Sequence, residues 1–105
     1  MSLQLLGFSQ SQLGNLEQAL EYYQQYNQLT EELYNDFPNN VEFKNGLAYS
    51  YYSLAQYHQQ KQDITQARLY FEKAEQHWAA LVQLSPNYVD FSHNLEVVRE
   101  ILASL

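Results

Sequence analysis

Cysteine is absent from this 105-residue chain, proline occurs twice and glycine three times. Without thiols there is neither a disulfide framework nor a thiolate metal site, which fits a reducing, cytoplasmic compartment. Basic residues are almost as scarce, with five Lys and Arg against twelve Asp and Glu, for a net charge of −7. The five (Lys44, Lys61, Arg68, Lys73 and Arg99) are scattered and form no stripe. Neither nucleic acid nor an anionic membrane surface is therefore an expected partner. No apolar run approaches the roughly 20 residues that span a bilayer, and the first residues read as no signal peptide. At 46% hydrophobic and 15% aromatic residues, the composition excludes a disordered tail. A chain this long makes one domain at most, with a modest core.

What is present repeats itself. Pro38-Asn39-Asn40-Val41-Glu42-Phe43 returns after 48 residues as Pro86-Asn87-Tyr88-Val89-Asp90-Phe91, and Leu47 and Leu54 return as Leu95 and Leu102. Upstream, Leu16, Ala19, Tyr22, Tyr23 and Leu33 meet Ile64, Ala67, Tyr70, Phe71 and Leu81. A fixed period of tens of residues marks stacked supersecondary units, built to present surface rather than to perform chemistry.

Between the Pro and Gly marks, apolar residues recur at helical spacing, as in Leu16, Ala19, Leu20, Tyr23 and Tyr26. The fold class is all-α, with five helices expected near 3–13, 16–36, 40–60, 64–84 and 88–104. Short connections make successive helices antiparallel. Asn15, Asp63, Asn39 and Asn87 are the expected N-caps, each followed three residues on by Gln18, Gln66, Glu42 and Asp90. Gly14 suits a left-handed turn; Gln62, its counterpart, does not, so the second turn is expected to differ. The order A, B, A, B, A divides into units 1–38 and 39–86 with a terminal helix 87–105. It starts and stops partway through a repeat, as a piece of a longer array would.

The run Leu6-Gly7, then Gly14-Asn15-Leu16-Glu17-Gln18-Ala19-Leu20-Glu21-Tyr22-Tyr23, resembles the tetratricopeptide repeat. The second unit offers Leu54-Ala55, Gln62-Asp63-Ile64, Ala67, Phe71 and Ala74, and Pro38 and Pro86 match the proline that follows helix B in that family. The usual repeat is about 34 residues, so this chain resembles a long-helix variant found in large bacterial proteins. Leu47-Ala48-Tyr49-Ser50-Tyr51 is similar to a phrase of that variant. The resemblance implies a right-handed α-α superhelix whose A helices line a concave face, serving as a non-catalytic scaffold for a protein or peptide. Gly7, Ala55 and Ala103, with Ala19 and Ala67, are expected at close helix contacts, with Tyr23 and Phe71 filling the volume between units.

On that reading the partner-binding groove comprises Phe8, Tyr49, Tyr52, Gln56 and Gln59, with Gln4, Leu5, Ser53 and Gln60 beside them and Val97, Glu100 and Ile101 from the last helix. Tyr brings amphipathic area at low entropic cost, and Gln both donates and accepts. The alternative for Tyr49 and Tyr52 is plain packing between helices. Leu3, Leu5, Leu6 and Phe8 surround much of the first helix, and Val97, Val98, Ile101, Leu102 and Leu105 much of the last. Val97, Ile101 and Leu105 are the candidates for self-association, which would make a homodimer or a stack of copies. No cofactor or metal is expected. His58, His77 and His93 have no metal-ligand spacing, no Ser sits in a nucleophile elbow, and three lone glycines make no phosphate loop. His58 is expected to be a half-buried structural residue and Trp78 an inter-repeat filler.

Overall fold

The computed structural model describes residues 3–105 as five helices: α1 (Leu3–Gln12), α2 (Leu16–Asp36), α3 (Val41–Gln60), α4 (Ile64–Leu84) and α5 (Val89–Ser104). No strand occurs among the described residues. The expected helices are all present, each boundary within one residue. The described chain has principal extents of 37 × 31 × 20 Å, set by helices of about 32 Å lying side by side.

Both connections from a B to an A helix close in the same way. Phe37 and Ser85 precede proline, which disfavours helical backbone, and their φ values are −134° and −139°. Each still donates its N–H one turn back, to Leu33 and Leu81 at 2.9 Å. Asn40 N–H then bonds to the Phe37 carbonyl, and Tyr88 N–H to that of Ser85, at 3.0 Å. Pro-Asn thus occupies the two central positions of a turn, as proline at the first of them favours. For that reason the N-caps are Asn40 and Tyr88, one residue beyond the expected Asn39 and Asn87. Asn40 Oδ1 accepts from Phe43 N–H at 3.0 Å, whereas Tyr88 makes no side-chain cap.

The two A–B turns also match each other, contrary to expectation. Gly14 has φ +81° and Gln62 φ +60°. Asn15 N–H reaches the Gln10 carbonyl at 2.8 Å, and Asp63 N–H the His58 carbonyl at 2.9 Å. Gln62, exposed to solvent, thus sits in a region that costs a non-glycine residue about 1–2 kcal/mol, inside the same local hydrogen-bonded turn as Gly14. Asp63 caps α4 through Gln66 N–H at 3.3 Å. Asn15 does not cap α2; its Nδ2 donates instead to Gln10 Oε1 at 2.9 Å.

The larger core lies among α3, α4 and α5, where Ala48, Ala55, Phe71, Trp78, Leu81 and Val98 are fully buried. A smaller one joins α2 to α3 through Ala19, Tyr23, Leu54 and Tyr57. A Cβ at Gly7 would overlap the Tyr23 ring, so this glycine is what lets α2 approach α1. Ala19, Ala55 and Ala67 are buried at close contacts as expected, but Ala103 is exposed, because no described helix packs on that side of α5.

Candidate functional site

Along α3, Tyr49, Tyr52, Ser53 and Gln56 share one side, which i, i+3, i+4, i+7 spacing makes inevitable. Across from them α1 presents Gln4, Leu5 and Phe8, and Tyr23 of α2 closes the floor. These eight residues line one cleft of about 240 Å³. Phe8 is half exposed, and Ser53 is buried at the base. Four of the five groove residues expected from sequence (Phe8, Tyr49, Tyr52 and Gln56) therefore meet. Gln59 is exposed and lies outside the lining. Gln60 is drawn away, its Oε1 accepting from the Ser11 hydroxyl at 2.7 Å and tying the end of α3 to α1. Val97, Glu100 and Ile101 do not reach the cleft either; α5 touches it indirectly, Asn94 Nδ2 donating to the Tyr49 hydroxyl at 2.8 Å.

Tyr49 and Tyr52 have two jobs. Each packs one part of its ring inward, Tyr49 edge-on to Trp78 at 5.2 Å and Tyr52 edge-on to Phe71 at 5.6 Å. Burial, reinforced by neighbouring Tyr49, pushes the Tyr52 phenol above its ordinary pKa of 10.0. Packing thereby fixes both rings before any ligand arrives, which lowers the ordering cost of binding.

The opposite side of α3 carries Lys44, Tyr51 and His58 at heptad spacing, and they join a ladder of rings that sequence reasoning missed. His77 stacks on Tyr51 at 5.7 Å and meets Tyr34 edge-on at 5.8 Å. Tyr51 stacks on Tyr70 at 6.2 Å, and Tyr70 on His58 at 5.5 Å. Lys73 lies over both Tyr51 and Tyr70, and Lys44 over Tyr34. Two of the five basic residues thus lie over ring faces of this ladder, each on different rings. Burial, a hydrogen bond to Glu31 and that carboxylate's charge push Tyr51 up to about 12. Burial pushes both histidines down, aided at His77 by Lys44 and opposed at His58 by Asp63. The spacing of Tyr51 with His58 and of Tyr70 with His77 was the available signal. His58 is half-buried and held by stacking, as expected, and Trp78 is a filler, 1% exposed with its Nε1 donating to Asn45 Oδ1 at 2.9 Å.

The self-association candidates sit mostly inward. Ile101 and Leu105 pack against the main core and Val97 is half-buried. The outward side of α5 instead presents Glu96, Arg99, Glu100 and exposed Ala103. One period earlier the positions of Glu96 and Ala103 are Ala48 and Ala55, both fully buried under α4. Arg99 pairs with Glu75 at 3.2 Å across the surface, a contact that contributes at most about 1 kcal/mol. Among the described residues no His, Cys, Asp or Glu cluster could hold a metal, and no helix is long and apolar enough to cross a membrane.

Residues 2–32 and 48–76 match the family model of the tetratricopeptide repeat. No curated protein and no solved structure matches the chain. The first unmatched stretch, 33–47, is the far end of α2, the Pro-Asn junction and the start of α3. The length that separates a period of 48 from the family's usual repeat is therefore added at the end of the helices away from the A–B turns. Repeats of this kind generally mediate protein–protein interaction and are not catalytic. With more than half of its residues matched in two successive units, the chain belongs to the tetratricopeptide repeat family.

Proposed function

We propose that the chain is a non-catalytic, cytoplasmic scaffold that binds a peptide or protein segment in the cleft between α1 and α3, on the concave side of a right-handed superhelix. Phe8, Tyr49 and Tyr52 supply apolar area, Gln56 hydrogen-bonds the peptide backbone, and Gln59 extends the contact from the rim. The observation that carries this reading is the convergence of those side chains from two helices, with Tyr49 and Tyr52 already fixed by packing. An extended peptide suits the cleft because Gln can donate and accept along its length while the rings take alternate side chains. No cofactor takes part. Self-assembly through Val97, Ile101 and Leu105 is the weaker reading, since Ile101 and Leu105 already cover the chain's own core.

Selection of a displayed peptide library against the chain tests the proposal. Phe8→Ala and Gln56→Ala remove cleft contacts without touching the main core. Selected peptides should bind each variant at least about tenfold more weakly. Peptides indifferent to both substitutions would place binding elsewhere and sink the reading.

A further inference from the structure

At the far end of the helices from the A–B turns lies a second, larger depression, an open groove of about 710 Å³. Its walls are the start of α3 (Val41, Glu42 and Asn45) and the α4–α5 junction (Leu84 to Tyr88), with Phe91 beneath. Every one of these residues lies outside the two segments that match the family model. The groove is made by the added length that distinguishes this chain's repeat. It is separate from the cleft between α1 and α3.

Its chemistry is specific enough to name a ligand class. Leu84 is 65% exposed and Tyr88 52%, while Phe91 is 3% exposed. The Tyr88 and Phe91 rings are 4.5 Å apart, giving the groove an aromatic wall and a buried apolar base. Trp78 Nε1 donates to Asn45 Oδ1. An indole N–H can only donate, so the Asn45 carbonyl is held toward Trp78 and its amide N–H pair is left for the groove. Glu42 stands exposed at the rim with no ion-pair partner among the described residues, on a chain of net charge −7. The size falls within the range of small-ligand sites, about 300–1,000 Å³.

We infer that this groove binds a peptide segment carrying an aromatic or large aliphatic side chain next to a Lys or Arg. The apolar side chain enters between Leu84, Tyr88 and Phe91. Asn45 Nδ2 donates to a backbone carbonyl of the peptide, and Glu42 takes the flanking cation. Charge complementarity selects the occupant: the rim glutamate Glu42, on a chain of net charge −7, repels an acid-flanked peptide and attracts a basic one.

The probe is acetyl-Gly-Ala-Phe-Arg-Ala-Gly-amide, titrated into the ¹⁵N-labelled full chain by NMR beside its Phe-Glu and Ser-Arg counterparts. Saturable shifts are expected at the amides of 41–45 and 84–91, with the Phe-Arg peptide binding tightest. Leu84→Glu should weaken it about tenfold, and Glu42→Lys should erase or invert the preference for Arg over Glu, a change of about fivefold. Gln56→Ala in the cleft should leave all of this unchanged, so failure here and failure of the cleft proposal read out separately. The inference is overturned by shifts confined to the cleft, by no saturable shift, or by equal binding of the Ser-Arg peptide. It is also overturned if sedimentation finds a dimer that Leu84→Glu dissociates, since a second copy would then be the occupant.

Discussion

Helix α3 is gripped differently on its two sides. Toward α2 it meets a polar knot: Asn27 Nδ2 donates to Ser50 Oγ at 2.9 Å, the Thr30 hydroxyl lies 3.1 Å from the same oxygen, and Ser50 donates to the Leu47 carbonyl at 2.7 Å. Toward α4 it meets Trp78, at the position Thr30 occupies one period earlier, wedged against Tyr49 and Tyr52. At the next such junction, between α4 and α5, the counterpart of Ser50 is Val98, fully buried. The repeat therefore prescribes backbone path and turn geometry but leaves interface chemistry free. Buried hydroxyls satisfied among themselves contribute little net stability, whereas the ring and aliphatic contacts around Trp78 bring the hydrophobic gain of a large side chain. The half made of α3, α4 and α5 should accordingly be the stable part of the molecule, with α1 and α2 opening more readily.

The contrast breaks first, and hardest, at Trp78. Trp78→Ala should cost about 3–5 kcal/mol in denaturant unfolding, because it empties the main core and strands Asn45. Thr30→Ala at the equivalent place should cost only about 1 kcal/mol. Equal losses would mean that the two sides are energetically alike. Gly7→Ala probes the weaker half from its other face. Overlap with the Tyr23 ring costs about 1–3 kcal/mol, partly offset by about 1 kcal/mol of helix propensity. Amide exchange should rise in α1 and α2 of this variant and stay unchanged in α4.

The ring ladder spans both halves and makes their joint stability depend on pH. His58 and His77 are held below the ordinary 6.5 by burial, so the unfolded chain binds their protons more readily than the folded one. Stability should be complete above 6.5 and fall as pH drops from there toward the depressed folded values. His77 faces Lys44, Tyr34 and Tyr51 and has no carboxylate to compensate, so His77→Phe should flatten the profile more than His58→Phe. A pH profile unchanged by His77→Phe would remove the ladder from the account. The smallest effect concerns the turns. Gln62→Gly should stabilise by up to about 1 kcal/mol, and Gly14→Ala should destabilise by a similar amount, if both turns carry the same left-handed requirement.

Helices, antiparallel order and junctions were legible in the sequence because hydrophobic period, proline and turn chemistry act within a few residues. The misplaced caps show the limit of that locality. Asn39 and Asn87 satisfy a capping pattern, yet the turn closed onto Phe37 and Ser85 moves each start by one residue. Gln62 misled because the same turn, closed by Asp63 N–H on the His58 carbonyl, forms without the glycine that the first turn has. For the cleft, register along α3 was enough to bring Tyr49, Tyr52 and Gln56 together with Phe8, but not to see that Gln59 falls outside or that α5 stops short. Lys44 and Lys73 are far apart in sequence, and each reaches its rings on the ladder only through the packing of α2, α3 and α4. Which neighbour lies across from a helix face is a fact of tertiary packing, and periodicity does not encode it.

Site-specific photo-crosslinking tests the central claim most directly. A benzoylphenylalanine replaces Gln4 in the cleft, or Gln76 on the exposed side of α4, and each chain is irradiated in a lysate of the native host. A discrete crosslinked partner is expected from position 4, lost in Phe8→Ala, with none from position 76. The same partner from both positions, or one from position 4 that survives Phe8→Ala, would contradict binding in the cleft.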